Sequence, residues 1–335
     1  MDAVTAAQVL SEIGYLLRQN AQEVFRAKAF SAAAWSIAIS RPDIEGLHKA
    51  KNLASIEGVG TGIAKVLTEL VETGQSRYLE RLRTEMGQPA REDESNIDLN
   101  AYQGDIHSHT NWSDGKATML EMARGAEALG YKYLAVTDHS PRIKVVNGLN
   151  AERLLAQSRE LAEVQAQVGG LTLLQGIEVD ILEDGALDLP DAVLELLDVV
   201  VASPHVKLRQ EPAAMTERML RAVSHPHVDL IGHPTGRRPG SREGATYDFE
   251  AVFKEAASHG VALEIDCDPA RMDLSPEMAR LALECGCNFS LDADAHMPAE
   301  LAYVPMAAWM ARRAGIPPDR ILNFLDVDEL ASALR

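Results

Sequence analysis

The chain has 335 residues, 46% of them apolar, and carries 50 Asp and Glu against 32 Lys and Arg for a net charge of −18. That length suggests about two domains of ordinary size. The composition is that of a globular protein, and every apolar run falls short of the ~18 residues a membrane span needs. The opening, MDAVTAAQVLSEIGYLL, lacks a basic n-region and begins an amphipathic helix, so no signal peptide is expected and the cytoplasm is the default location. Cys267, Cys285 and Cys287 make an odd count without zinc-finger spacing, which predicts reduced core residues.

The acid excess is uneven. Residues 1–95 hold 11 Lys and Arg against 13 Asp and Glu, whereas residues 96–335 hold 21 against 37. A nucleic-acid partner normally leaves a basic footprint, but cations bound among the acids of the second part would offset part of its charge. Net charge therefore does not decide the substrate.

In chain order, segments 5–19, 22–39, 61–73 and 75–86 place apolar residues at three- and four-residue spacing, as in Val9, Leu10, Ile13, Leu16 and Leu17, and predict helices. Residues 87–100 are polar and aperiodic, which marks a linker. The expected division is a helical domain over 1–87, a linker over 88–102 and a second domain over 103–335. From there the pattern changes. Short β-rich runs at 104–106, 133–137, 171–179, 199–202, 230–232, 261–265 and 288–291 alternate with helical stretches such as 118–129. Seven strands alternating with helices predict an α/β fold with a parallel sheet, and a closed barrel is its economical form in this length.

Nine ligand-type residues follow the ends of those strands: His107, His109, Asp114, His139, Glu178, His205, His233, Asp294 and His296. In a parallel barrel the carboxyl ends of the strands are where sites form. Imidazole and carboxylate are the donors that borderline and hard divalent cations take, and nine are too many for one ion. The H-x-H and D-x-H pairs set both members on one face of extended backbone, where both can reach one cation. Glu264, Asp266 and Asp268 follow the sixth strand as candidates to orient the imidazoles. The plainer reading, satisfied core histidines, does not account for six of them at strand ends with acids at fixed offsets. His48, His225, His227 and His259 fall outside that pattern and read as surface residues.

The motifs D-I-H-S-H-T-x-x-S-D-G (105–115), T-D-H-S (137–140), G-x-E-V-D (176–180), G-H-P-T (232–235) and D-A-D-A-H (292–296) resemble the polymerase and histidinol phosphatase (PHP) family. The resemblance spans 103–335 and is closest to the PHP module of bacterial family X DNA polymerases. It implies a distorted (β/α)7 TIM-like barrel holding up to three Mn, Zn or Fe ions. By position it implies one ion on His107, His109, Glu178 and Asp294, and a second on Glu178, His205 and His233. The third set would be Asp114, His139 and His296. His107, His109, Glu178, His233 and Asp294 would then carry catalysis. Arg142, Lys144, Arg237 and Arg271 lie on loops expected near the mouth and are candidates to hold a substrate phosphate, beside the plainer reading of solvated charges.

The first domain offers L-x-x-I-E-G-V-G-T-G-I-A-K-V-L from Leu53 to Leu67, in which Gly58 and Gly60 allow a tight reversal between helices. Backbone N–H groups at the start of the second helix can bond a phosphate. This resembles a helix-hairpin-helix. With 25–37 it is similar to the small DNA-end-binding domain of family X polymerases, which implies DNA contact through Gly58, Gly60, Gly62 and Lys65. A purely structural hairpin is the alternative. The polymerase core that separates the two modules in that family is absent, so no polymerase activity is expected. The Schiff-base lysine of lyase-active relatives aligns with Val66, and Lys65 points about 100° away on a helix.

These features together point to a divalent-metal-dependent phosphoesterase acting on DNA 3′ ends, as a 3′–5′ exonuclease or a 3′-phosphatase. The rival enzyme is a small-molecule phosphomonoesterase of the histidinol-phosphate or nucleotide type. A scaffold protein with purely structural metals is the third reading.

Overall fold

The structure is a computed structural model that describes residues 1–18, 23–85, 97–238, 242–268 and 270–334. The chain forms two compact units, Met1–Glu94 and Ser95–Arg335. Of the expected linker 88–102, residues 88–96 lie outside the described residues, as do residues 19, 22 and 86 at the ends of three expected helices.

The first unit is helical: α1 (Ala3–Arg18), α2 (Val24–Ser40), α3 (Ile44–Lys49), α4 (Thr61–Thr73) and α5 (Arg77–Glu85). Leu10, Ile13 and Leu16 of α1 are buried with Ala33 and Ile37 of α2, and the two helices pack together. The expected apolar spacing thus became the contact face. Arg83 of α5 forks onto Glu12 of α1 in a buried bidentate ion pair, Nε to Oε1 at 2.6 Å and Nη2 to Oε2 at 2.7 Å. Helix α3 is too short for a periodic pattern to reveal, but its start was written in Asp43, whose side chain accepts from Gly46 N. A 3-10 turn at Leu53–Ser55 and Gly58, at φ 76°, then reverse the chain into α4, which buries Ile63, Val66, Leu67 and Leu70.

The second unit is a seven-stranded parallel sheet in strand order 1-2-3-4-5-6-7: β1 (Gly104–Asp105), β2 (Tyr133–Val136), β3 (Thr172–Asp180), β4 (Val199–Ser203), β5 (Leu230–Ile231), β6 (Ala262–Asp266) and β7 (Phe289–Asp292). Sequential order in a parallel sheet requires a crossover after each strand. These are supplied by α6 (Met119–Leu129), α7 (Ala151–Gln165), α8 (Asp191–Leu194), α9 (Pro212–Val223), α10 (Phe249–His259) and α11 (Pro276–Glu284). Helices α12 (Val304–Ala314) and α13 (Val327–Ala333) follow β7. A capping box at Thr118 and Glu121 starts α6, and Gly130 ends it at φ 87°. No described helix is long and apolar enough to cross a membrane.

The barrel closes between β7 and β1, where side chains replace much of the ladder. Ser108 and Ala295 form a parallel bridge just beyond the two strands. Below it, Ile106 N donates to Asp292 Oδ1 at 2.9 Å and Ala293 N to Asp105 Oδ2 at 3.0 Å. Buried Asn323, from the segment after α12, completes the seam: its Nδ2 donates to Gly104 O and Asp292 Oδ1, both at 2.9 Å, and its Oδ1 accepts from Leu291 N at 2.7 Å. The same C-terminal segment closes the amino end of the barrel, with Leu322, Leu330 and Leu334 packed on Ile106, Tyr133, Val199, Val201 and Leu230. The core thus lies toward that end and the polar interior toward the other. Asn323→Ala leaves Leu291 N and Gly104 O buried without partners, each costing ~1–3 kcal/mol. Urea unfolding of the variant should show a loss of roughly 3 kcal/mol, and unchanged stability would show that the seam does not depend on Asn323.

Candidate metal centre

All nine expected ligands converge at the carboxyl end of the barrel. His107 and His109 follow β1, His139 follows β2, Glu178 lies in β3, and His205, His233, Asp294 and His296 follow β4, β5 and β7. Glu178 is the hub. Its Oε1 lies 2.7 Å from His233 Nε2, 3.1 Å from His205 Nε2 and 3.6 Å from His107 Nε2, and its Oε2 lies 2.6 Å from His139 Nδ1 and 3.7 Å from His109 Nε2. Asp294 Oδ1 stands 2.9 Å from His109 Nε2 and 3.7 Å from His107 Nε2. Asp114 Oδ1 stands 3.5 Å from His139 Nε2 and 3.4 Å from His296 Nε2.

His107, His109, Glu178 and His233 are fully buried, whereas the Asp114 and His296 side chains keep 32% and 25% exposure, so the centre opens to solvent on their side. Two of the nine adopt left-handed backbone, His233 at φ 28° and Asp294 at φ 45°, a strain that needs support from its surroundings. Gly232 makes room beside His233, since a Cβ there would lie 2.4 Å from Ser203 Oγ and 3.3 Å from His107 Cε1.

Burial and charge act against each other across the centre. Burial would lower the imidazole of His107, but Glu264, Glu178 and Asp294 outweigh it and hold it well above its ordinary value. His139 is pushed up to about 10 by Glu178 and Asp114 against the same burial, and His296 to about 9 by Asp114 and Asp294. His109, whose near neighbours include His296 and His139, is driven down to about 3, with burial as the first cause. Burial alone would raise Glu178, yet the imidazoles of His205, His139 and His107 hold it well below the carboxylate range.

The donor set fits divalent cations. Close as they stand, buried His107 Nε2, His109 Nε2, His205 Nε2, Glu178 Oε2 and Asp294 Oδ1 make no hydrogen bond of good geometry among the described residues. Buried polar atoms are rarely left so. Three groups of donors lie within 4.8 Å of one another: His109, Asp114, His139 and His296; His107, His109 and Asp294; and His139, Glu178 and His205. The grouping differs in detail from that implied by the family resemblance. His109 faces the outer group as well as the inner one, and His139 joins Glu178 and His205. His233 is drawn onto Glu178 Oε1 by a 2.7 Å contact.

A family model for the PHP domain matches residues 105–268, and one for the helix-hairpin-helix domain matches residues 1–76. A probable phosphatase of Thermoanaerobacter sp. (strain X514) is 31% identical over 244 residues, 69% of this chain and 94% of that protein. The chain belongs to the PHP family of metal-dependent phosphoesterases. The DNA polymerase/3′-5′ exonuclease PolX of Bacillus subtilis (strain 168) is 37% identical over 239 residues, 71% of this chain but 42% of that protein. The histidinol phosphate phosphatase of Lactococcus lactis, solved with zinc, L-histidinol and phosphate, aligns over 64% of this chain and 94% of its own at TM-score 0.49 and 17% identity.

The PHP centre rests on an outer layer of acids. Glu264 Oε1 meets His107 Nδ1 at 2.6 Å, which places the ring proton there and turns Nε2 inward, while Glu264 Oε2 accepts from His233 N. Burial pushes Glu264 up to about 7 against the pull of His107. Asp180 Oδ1, at 3.1 Å from His205 Nδ1, does the same for His205. Sequence reading passed over Asp180, although its place two residues after Glu178 on one strand puts it on the same face. It also passed over Asp138, which accepts from Thr110 N, Thr110 Oγ1 and Ser113 N and so fixes the loop that carries Asp114. Asp266 lies 3.4 Å from Arg271 Nε and Asp268 accepts from Ala270 N, so the contacts of both run to the loop after β6 rather than to an imidazole.

The four basic candidates differ in setting. Arg271 is 5% exposed and donates from Nε to Asp294 Oδ2 at 2.9 Å, while its buried Nη1 has no hydrogen-bond partner among the described residues. Arg237 bonds the carbonyls of Arg271 and Met272, Arg142 pairs with Glu183 at 2.7 Å, and Lys144 is exposed. In the helix-hairpin-helix, Gly60 and Gly62 have open space where a Cβ would stand, Lys65 is exposed and Val66 is buried. Cys267 and Cys287 are buried and all three cysteines are free. Glu264→Gln should weaken divalent-metal affinity 10- to 100-fold, roughly the effect of losing an outer carboxylate. Chelator competition reads that change, and wild-type affinity in the variant would remove Glu264 from the centre's support.

Proposed function

We propose that this chain hydrolyses phosphoester bonds at DNA 3′ ends, as a 3′–5′ exonuclease or a 3′-phosphatase, with up to three Mn, Zn or Fe ions on the nine converging residues. The observation that carries the proposal is the joining, in one chain, of a helix-hairpin-helix domain with a centre in which nine ligand-type side chains meet around Glu178. Similarity to the exonuclease-containing PolX of Bacillus subtilis supports the choice of DNA.

Divalent cations held there supply Lewis acidity toward a phosphoryl oxygen and acidify water. The chain's own residues do the rest. Glu264 and Asp180 hold His107 and His205 with Nε2 facing inward. Arg271, braced by Asp294, offers its unpartnered Nη1 as a buried cationic donor, suited to a phosphate oxygen. In the first unit, the uncapped start of α4 presents backbone N–H groups beside exposed Gly60 and Gly62, with Lys65 one helical step further on, and these would hold a strand's phosphates. This reading includes no nucleotidyl transfer, and the short interval of residues 77–104 between the two matched domains supports that choice.

A second reading is a phosphomonoesterase for a small ester such as histidinol phosphate or a nucleotide. It is favoured by the match to a probable phosphatase across 94% of that protein. A 5′-labelled oligonucleotide ending in a 3′-hydroxyl or a 3′-phosphate, incubated with the Mn-loaded protein, separates the two. A descending ladder identifies an exonuclease, and a single mobility change confined to the 3′-phosphate strand identifies a phosphatase. No change, while an aryl phosphate is hydrolysed, leaves the small ester. His107→Ala and Asp294→Ala should each abolish turnover of whichever substrate is cleaved, and full activity in either variant would defeat the site assignment.

A further inference from the structure

The second unit is strongly acidic as a whole, but its charge is not evenly spread. Nine of the 21 Lys and Arg of residues 96–335 fall on the loops that leave the carboxyl ends of the strands, around the mouth of the centre. Several are already engaged in the architecture: Arg271 on Asp294, Arg237 on backbone carbonyls, Arg142 on Glu183. Lys116, Lys144, Lys207 and Arg209 are different. All four are exposed and none makes an ion pair among the described residues.

Their loops leave strands that carry ligand-type residues of the centre. Lys116 N donates to His296 O at 2.7 Å, which sets that residue at the open side where Asp114 and His296 meet solvent. Lys207 and Arg209 lie on the loop that begins with His205, with Lys207 in left-handed backbone at φ 55°. Lys144 sits on the loop after His139, whose ends are pinned together: Leu149 N donates to His139 O at 2.7 Å, and a Cβ on Gly148 would stand 1.9 Å from Ser140 O. Arg153 fastens the same loop to the neighbouring one through Gly148 O at 2.9 Å and Trp112 O at 2.5 Å. Next to Lys144 at the tip of this braced loop, Val145 is 91% exposed. Acids on the same face are partly spent, with Asp138 and Asp273 buried and Glu183 and Asp184 paired to Arg142 and Arg221.

Cations spaced over three loops around a mouth suit an extended polyanion better than one small phosphate, since each can meet a different phosphate of a strand. We propose that this rim is a track for a single nucleic-acid strand leading to the centre, with Lys116, Lys144, Lys207 and Arg209 on its phosphates and Val145 against a base. The inference rests on the phosphoesterase reading above and deepens it, because it makes strand length part of the specificity of the barrel itself.

The test is anisotropy of a labelled single strand bound to the full chain in chelator, compared between wild type and Lys116→Gln/Lys207→Gln/Arg209→Gln across a range of salt. Each neutralised phosphate adds about −0.7 to the slope of log affinity against log salt for single strands. The triple variant should therefore bind at least tenfold more weakly at low salt with a slope flatter by about 2. Lys116→Arg/Lys207→Arg/Arg209→Lys should restore both. With metal present, kcat/KM of the variant should fall further for a long strand than for a mononucleotide. Wild-type affinity and slope in the triple variant overturn the rim. Equal losses on the long strand and the mononucleotide overturn it too. A wild-type protein that binds the strand with the full slope but cleaves no phosphoester in it contradicts the 3′-end reading and leaves the rim standing.

Discussion

A carboxylate buried among five imidazoles is the constraint on which the rest of this barrel depends. Glu178 is fully buried, and all five rings approach it to 3.7 Å or less. Removing a charge from water costs several kcal/mol even after relaxation, so the arrangement is tolerable only where positive charge is shared with it. The surrounding imidazoles do this in part, holding Glu178 low while the acids hold His107 and His139 high. Divalent cations do it without protons, and the unpartnered lone pairs of His107, His109, His205, Glu178 and Asp294 are the mark of a centre arranged for them.

Such a centre cannot hold its shape by itself, because rings repelling one another around a single acid would drift apart. The barrel prevents that in two ways. Glu264 and Asp180 fix the outward nitrogens of His107 and His205, while Arg271 ties the far oxygen of Asp294. Parallel strands in sequential order then bring the carriers of these groups side by side, and the seam of Asp105, Asp292 and Asn323 completes the ring where β1 and β7 are too short to pair fully. The strained backbone at His233 and Asp294 sits where this support is densest, with Glu264 on His233 N and Arg271 on Asp294.

Charge divides the protein by role. The acids that give the chain its net −18 include the hub and the layer around it, so acidity here belongs to the chemistry of the centre as much as to the surface. A polyanionic substrate is therefore judged by the face it meets, and that face carries cations on five of its loops. Local charge around a cleft governs approach more than the total does.

The sequence by itself determined the elements and the inventory of donors. The seven strands lie within a residue or so of the runs read from β-rich composition, as with 133–137 against Tyr133–Val136 and 199–202 against Val199–Ser203, because alternation and turn residues are local properties. The nine ligand types were legible for the same reason: their offsets from strand ends survive in one dimension. Only the tertiary structure decided which donors face one another. His109 facing Asp114 and Asp294 alike, Asp180 behind His205, Arg271 anchored on Asp294, and Asn323 sealing a seam across 219 residues from Gly104 are all long-range pairings. Periodicity fixes the face on which a side chain stands, whereas its partner depends on strand register, barrel closure and the competition among buried charges, and those exist only once the chain has folded.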